Sequence, residues 1–175
     1  EEAHLEMSEN TEALLLIEVD GNQPDQLMDE IQKIIDVVET HNCDENILFA
    51  EDEAQKEQLW FIRRRIGEAV KVNSIYKEED TVVPRYKLPD LLSGVKEIGD
   101  KYGFESICYG HAGDGNLHVN IIKGELSDLQ WKNELTKAIR EIFTLTVSLG
   151  GTISGEHGIG SVSYTHLTLP TIAIV

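Results

Sequence analysis

Two histidines flank a short polar connection in the middle of the chain, and their spacing could bring two imidazoles together. The stretch 110–120 reads GHAGDGNLHVN, with six residues between His111 and His118. Glycines beside Asp and Asn favour a turn, so the chain can fold back as a hairpin. The two rings would then face each other closely enough to share a metal ion. Asn120 follows His118 by two residues, so both side chains would project from the same face of a strand.

A second stretch, 150–160, places Glu156 and His157 among five glycines. The low side-chain bulk suits a close approach to a ligand. Glu156 could complete a three-ligand site with His111 and His118, which would leave an open coordination position as in catalytic zinc sites. The spacing alone also allows plainer interpretations. The histidine pair can belong to the surface or the core around a simple turn, and Glu156 and His157 can be solvated at a glycine-rich helix end.

Three adjacent arginines, Arg63 to Arg65, lie within a predicted helix and cannot all face the same way. One of them could grip a substrate carboxylate through paired hydrogen bonds. The alternative is a solvated basic patch, and we expect at least two of the three to belong to it.

The elements that must position these residues can be predicted from hydrophobic periodicity and from capping residues. Helices are predicted over 24–41, from Asp52 through Val70, from Pro89 to Gly103, and from Ser127 to Gly150. Short strands are predicted over 14–21, 47–50, 81–84, 106–109 and 117–122. Alternating strands and helices with one hairpin predict an α+β sandwich, in which an antiparallel or mixed sheet carries helices mainly on one face.

Composition bounds the class of protein. The chain has 175 residues, enough for one domain with a core, and a formal net charge of -17. That charge repels phosphate backbones and excludes nucleic acid as a partner. An anionic substrate would therefore need a local cluster of positive groups or a metal. Two cysteines without a CxxC motif predict a reducing compartment, hence a cytoplasmic protein.

The motifs 110–118 (GHAGDGNLH) and 154–160 (SGEHGIG) together resemble the two signature motifs of the C-terminal domain of FAD-linked oxidases. This group includes D-lactate dehydrogenase, D-2-hydroxyglutarate dehydrogenase and the flavin subunit of glycolate oxidase, within the vanillyl-alcohol oxidase superfamily. Segments 15–21, 59–65 and 79–88 are similar to it in the expected order. The resemblance covers residues 11–160. The tail 161–175 does not match it. The tail could be a terminal strand or foreign sequence, and we favour foreign sequence.

The resemblance implies a ferredoxin-like cap domain that covers the reactive face of the flavin. By motif match, three residues correspond to the ligands of a divalent metal: His111, His118 and Glu156. Zinc is the expected metal, with manganese and iron as alternatives. His157 matches the general base. Three further residues match positions that contact substrate: Arg63, Lys77 and Asn120. The match of Lys77 requires a one-residue gap in the alignment.

The function implied is the oxidation of a 2-hydroxy acid (D-lactate, glycolate or D-2-hydroxyglutarate) to the 2-oxo acid, with hydride transfer to FAD. FAD would be held mainly by an upstream FAD-binding domain of the same protein, so this chain is expected to be an inactive fragment. An iron–sulfur protein or another partner would accept the electrons, in the cytoplasm or at the inner membrane. Two other classes stay open: a non-catalytic ferredoxin-like module that binds a small acid or a metal, and a His/His/Glu metal-dependent hydrolase. Neither explains the two motifs together.

Overall fold

The computed structural model describes residues 11–41 and 47–154. The chain divides into two compact units, Glu1–Ile66 and Gly67–Val175. Its elements, in chain order, are α1 (Pro24–Glu39), α2 (Glu53–Asn73), β1 (Tyr76–Val82), a 3₁₀ turn (Arg85–Lys87), α3 (Leu88–Tyr102), β2 (Glu105–His111), β3 (Asn116–Ile122) and α4 (Asp128–Ser148). Within the two described stretches, no helix is long and apolar enough to cross a membrane.

The helices of the first unit form where the sequence predicts them. α1 begins at Pro24, whose fixed φ suits the first turn of a helix. The predicted cap of α2 is confirmed. Asp52 Oδ1 accepts from the Gln55 backbone N–H at 2.8 Å, and Gln55 Oε1 accepts from the Glu51 N–H at 2.7 Å. The periodicity of the sequence predicts a buried face of α2 formed by Leu59, Ile62, Ile66 and Val70. Only Val70 is fully buried, and it belongs to the second unit.

The prediction of two strands in the first unit is wrong. The described residues of 14–21 and 47–50 form no strand, and Leu15 and Leu48 are 69% and 57% exposed. A strand needs a neighbour for its backbone hydrogen bonds and a packed face for its side chains. Local apolarity signals a tendency to be buried, but it does not supply either partner.

The second unit follows the order β1–α3–β2–β3–α4 and then adds an antiparallel bridge between Val82 and Thr152. Its sheet is antiparallel throughout, in the order β1–β3–β2. The bridge puts Thr152 beside β1, which is where the last strand of a βαββαβ ferredoxin-like arrangement would pair. The predicted α+β fold is confirmed, with an antiparallel rather than a mixed sheet among the described strands. β1 begins earlier than the predicted strand 81–84. The sequence did not reveal this start, because the first half of β1 is charged and lacks an apolar pattern.

The core lies between the sheet and two helices, α3 and α4. Alternate residues of β3 point to these helices: Leu117, Val119 and Ile121 are all buried. The predicted ends are confirmed. Gly103 closes α3 in the left-handed conformation at φ 76°, and the reciprocal capping box of Ser127 and Gln130 opens α4. The remaining core residues are Val83, Leu91, Val95, Ile98, Phe104, Ala138, Ile139, Ile142 and Phe143.

Candidate functional site

The face of the sheet that points away from α3 and α4 is polar, and we call it the polar face. Because side chains alternate along a strand, β3 sends Asn116, His118 and Asn120 to this face. All three are buried. His118 lies opposite Asp80 on β1 and Tyr109 on β2, so these three side chains share one row across the sheet.

The predicted hairpin brings the two histidines together. β2 ends at His111, and the turn that follows leads directly into β3. Gly115 in this turn has φ 74°, and a Cβ there would lie 1.9 Å from the Val83 carbonyl oxygen, so only glycine fits. The ring centroids of His111 and His118 are 6.4 Å apart, with the rings nearly perpendicular at 76°.

Two carboxylates lie beside the His118 ring. His118 Nδ1 is 3.6 Å from Glu78 Oε1 and 3.7 Å from Asp80 Oδ1. Asn116 Nδ2 donates to that same Asp80 oxygen at 2.7 Å. Sequence reasoning missed Glu78 and Asp80, because the register of β1 against β3 decides which members of the acidic run 78–80 reach His118.

Asn120 is fully buried and only partly engaged by the protein. Its Nδ2 donates to the Ile107 carbonyl oxygen at 3.1 Å, which fixes the amide orientation. Its Oδ1 is buried and accepts no hydrogen bond from the described residues. Buried acceptors are normally satisfied, so this oxygen is suited to accept from a bound molecule.

The side chain of Lys77 does not lie on the polar face with His118 and Asn120. It pairs with Ile121, a core residue, so it belongs to the face that the helices cover. Its Nζ donates to the Glu78 carbonyl oxygen at 3.2 Å and lies 3.3 Å from Glu79 Oε1. Burial raises the pKa of the Glu79 carboxyl, an effect that nearby Lys77 opposes.

A comparison with known protein families shows to which family the chain belongs. Residues 1–168 match the family described as FAD linked oxidases, C-terminal domain. The chain belongs to this family. The domain bounds 11–160 and the foreign origin of 161–175 stay predictions, and residues 155–175 lie outside the described part of the chain.

Several relatives carry the names of hydroxy-acid enzymes. D-lactate dehydrogenase of Anaerostipes hadrus is 34% identical over 85% of this chain and 31% of its own length. Glycolate oxidase subunit GlcD of Escherichia coli K12 is 33% identical over 86% of this chain and 30% of its own length. The probable mitochondrial D-2-hydroxyglutarate dehydrogenase of Oryza sativa subsp. indica is 37% identical over 65% of this chain and 19% of its own length. The chain thus spans about a third or less of these relatives.

The other predicted residues of this FAD-linked oxidase domain belong to the first unit or lie outside the described residues. Arg63 is partly exposed on α2, within the first unit. Its neighbours form the expected surface patch, since exposed Arg64 pairs with Glu57 at 2.8 Å and exposed Arg65 lies 4.8 Å above the Phe61 ring. The predicted metal ligand Glu156 and the predicted base His157 lie outside the described residues.

The donor set fits a divalent metal in part. His111 and His118 are two of the three predicted ligands, and imidazole nitrogens with a carboxylate are a common ligand set for catalytic zinc. Within residues 11–41 and 47–154, no group of three His, Cys, Asp or Glu side chains is arranged to hold a metal. Glu156, the third predicted ligand, lies outside the described residues, so the metal site stays a prediction.

Proposed function

We propose that this chain is the cap domain of an FAD-dependent enzyme that oxidises a 2-hydroxy acid to the 2-oxo acid, with hydride transfer to FAD. The substrate class is that of the relatives' names: D-lactate, glycolate or D-2-hydroxyglutarate. Membership of the FAD-linked oxidase family supports the proposal. The observation that carries it is the polar face, which holds the buried side chain of Asn120 and two imidazoles whose ring centroids are 6.4 Å apart. FAD would be held mainly by the FAD-binding domain of the same protein, and it would supply the redox chemistry.

His111, His118 and Glu156 would hold a divalent metal, zinc in preference to manganese or iron. When bound, the metal lowers the pKa of a coordinated hydroxyl group. The short separation of the His111 and His118 rings, 6.4 Å between centroids, supports this part of the proposal. So does the net charge of -17, because an anionic substrate needs local positive charge to approach the chain.

The remaining roles belong to side chains of this chain. His157 would accept the proton of the substrate hydroxyl, since the ordinary histidine pKa of about 6.5 suits a general base. Asn120 Oδ1 would accept a hydrogen bond from the substrate, and Arg63 would bind its carboxylate through two parallel hydrogen bonds. Lys77 is left out of the proposed arrangement because it lies on the helix-covered face.

The electrons must leave the reduced flavin before another turnover. We therefore include in the proposal a separate acceptor, an iron–sulfur protein or another redox partner. The cysteine usage of the sequence favours a cytoplasmic location, either free or at the inner membrane through that acceptor.

The test uses the flavoprotein that carries this domain, with a His111→Ala/His118→Ala double variant. Metal content by mass spectrometry and turnover with each of the three hydroxy acids are measured together. We expect about one metal per chain in the wild type, its loss in the double variant, and turnover lowered by about 100-fold or more. A His41→Ala variant removes a histidine exposed at the end of α1 and serves as the control. Full metal content and full turnover in the double variant would contradict the site assignment.

A further inference from the structure

The polar face carries negative charge and no Lys or Arg along its three strands. Because side chains alternate along a strand, the register places Glu78, Asp80 and Glu105 on this face. Lys77 is the only Lys or Arg in β1, β2 and β3, and it belongs to the face that the helices cover. The two histidines of the polar face, which are the proposed metal ligands, are the only side chains of these strands there that can take up positive charge.

The parts of the chain outside the described residues supply no Lys or Arg side chain either. Residues 1–10, 42–46 and 155–175 contain neither residue type. A carboxylate that leaves water needs a positive partner to compensate for its lost hydration. One carboxylate of a substrate has partners in the proposed arrangement, Arg63 and the metal. A second carboxylate has no Lys or Arg beside it on the described strands of the polar face.

The uncharged groups of the polar face also disfavour a carboxylate. Asn116 and Asn120 are 3% and 0% exposed. Their Nδ2 atoms donate to Asp80 Oδ1 and to the Ile107 carbonyl oxygen, and both Oδ1 atoms are buried without a hydrogen bond from the described residues. A hydroxyl group can donate to such an acceptor, whereas an ionised carboxylate only accepts. The face therefore suits a ligand that presents a hydroxyl group and no further negative charge.

Glu78 is the carboxylate of this face that an incoming ligand can reach. Its side chain is 30% exposed, whereas that of Asp80 is only 8% exposed. Glu78 Oε1 lies 3.6 Å from His118 Nδ1, so its charge is beside a proposed ligand of the metal. Like charges repel each other more strongly in a partly buried environment than in water. A second carboxylate on a ligand at His118 would meet this repulsion.

We infer that the polar face selects 2-hydroxy acids with a single carboxylate, D-lactate or glycolate, over D-2-hydroxyglutarate, and that Glu78 repels the second carboxylate. Two apolar side chains share the face, Val82 and the 41% exposed Ile107, so a hydrogen or a methyl group on the substrate meets an uncharged surface. Glu78 is thus a specificity-determining residue. This inference rests on the proposed function, because it selects among substrates of that reaction.

The first experiment measures kcat/KM of the flavoprotein that carries this domain for D-lactate, glycolate, D-2-hydroxyvalerate and D-2-hydroxyglutarate. The last two acids share one carbon chain and differ only in a terminal methyl group against a carboxylate, so they separate charge from size. We expect D-2-hydroxyglutarate to have the lowest value, at least about 10-fold below D-2-hydroxyvalerate. Equal values for these two acids, or a preference for D-2-hydroxyglutarate, would overturn the inference and leave the proposed function standing. No turnover of any of the four acids would contradict the proposed function itself.

The second experiment reverses the charge with Glu78→Lys and removes it with Glu78→Gln. We expect the ratio of kcat/KM for D-2-hydroxyglutarate to that for D-2-hydroxyvalerate to rise by about 10-fold or more in Glu78→Lys, and by less in Glu78→Gln. Glu97→Lys makes the same charge change at an exposed residue of α3, which packs on the other face of the sheet, and should leave the ratio within about twofold.

The comparison of these variants decides the role of Glu78. Equal rises in Glu78→Lys and Glu97→Lys would show that only the net charge of the chain matters, which would overturn the inference. An unchanged ratio in both Glu78 variants would overturn it as well. If Glu78→Lys does not fold, the ratio in Glu78→Gln still gives the answer, because this change keeps the size of the side chain and removes only its charge.

Discussion

Lys77 and Asn120, which the sequence predicts to contact the same substrate, lie on opposite faces of one sheet. Lys77 pairs with the core residue Ile121, whereas Asn120 pairs with Glu78 on the polar face. We expect Lys77→Met to leave the KM for the hydroxy acid within about twofold of wild type. Asn120→Ala removes a buried acceptor worth about 1–3 kcal/mol, so kcat/KM should fall by roughly 5- to 150-fold. A large rise in KM for Lys77→Met with little effect of Asn120→Ala would show that the faces are wrongly assigned.

The Glu79 carboxyl should make stability depend on pH. Burial raises its pKa above the ordinary value, an effect that nearby Lys77 partly opposes. The folded state thus binds the proton more tightly than the unfolded state does, and stability is lost as the pH rises through the folded pKa. Glu79→Gln should therefore unfold at a higher temperature than wild type at pH 8, and the difference should shrink towards pH 4. Glu78→Gln, a change at a more exposed carboxylate, is the control. A constant difference between wild type and Glu79→Gln at both pH values would contradict this account.

The core beneath the polar face should be sensitive to cavities. Leu91 of α3 is fully buried, whereas its neighbour Leu92 is 41% exposed. Leu91→Ala should lower the free energy of unfolding by about 2–5 kcal/mol, because it removes packed atoms and leaves a void. Leu92→Ala, measured by the same denaturant titration, should change it by less than about 1 kcal/mol. Equal costs for the two variants would mean that α3 is rotated relative to the sheet.

The turn that joins the two histidines depends on one glycine. Gly115→Ala places a methyl group 1.9 Å from the Val83 carbonyl oxygen at φ 74°, so backbone must move, at a cost of about 1–3 kcal/mol. We expect lower thermal stability and weaker metal binding, since the turn sets the separation of the rings. At Gly113 an added Cβ meets no atom within 4 Å, so Gly113→Ala is the control. Full metal affinity in Gly115→Ala would show that the turn does not position the site.

Local signals in the sequence were sufficient to predict the helices and the hairpin. The capping pairs Asp52/Gln55 and Ser127/Gln130 form hydrogen bonds within one helical turn, so their spacing alone specifies them. The meeting of the two histidines also followed from a short turn. In each case the residues that interact are close in the chain.

Long-range pairing could not be predicted in the same way. The apolar run 14–17 resembles a buried strand, yet its side chains are exposed in the structure. The charged start of β1 does not resemble a strand, yet it pairs with β3 along its whole length. The faces of Lys77, Glu78 and Asp80 depend on a register in which a shift of one residue would reverse every side chain. The carboxylates beside His118 are visible only once that register is known.

We propose that the hydroxy acid reacts at the polar face of this domain. The most direct measurement is anaerobic mixing of the FAD-containing protein with D-lactate, glycolate or D-2-hydroxyglutarate, while flavin absorbance is followed. We expect one of the three acids to reduce the flavin in the wild type, and the rate to fall by about 100-fold or more in His118→Ala, with His41→Ala unchanged. Flavin reduction at the wild-type rate in His118→Ala, or no reduction by any of the three acids, would contradict the account.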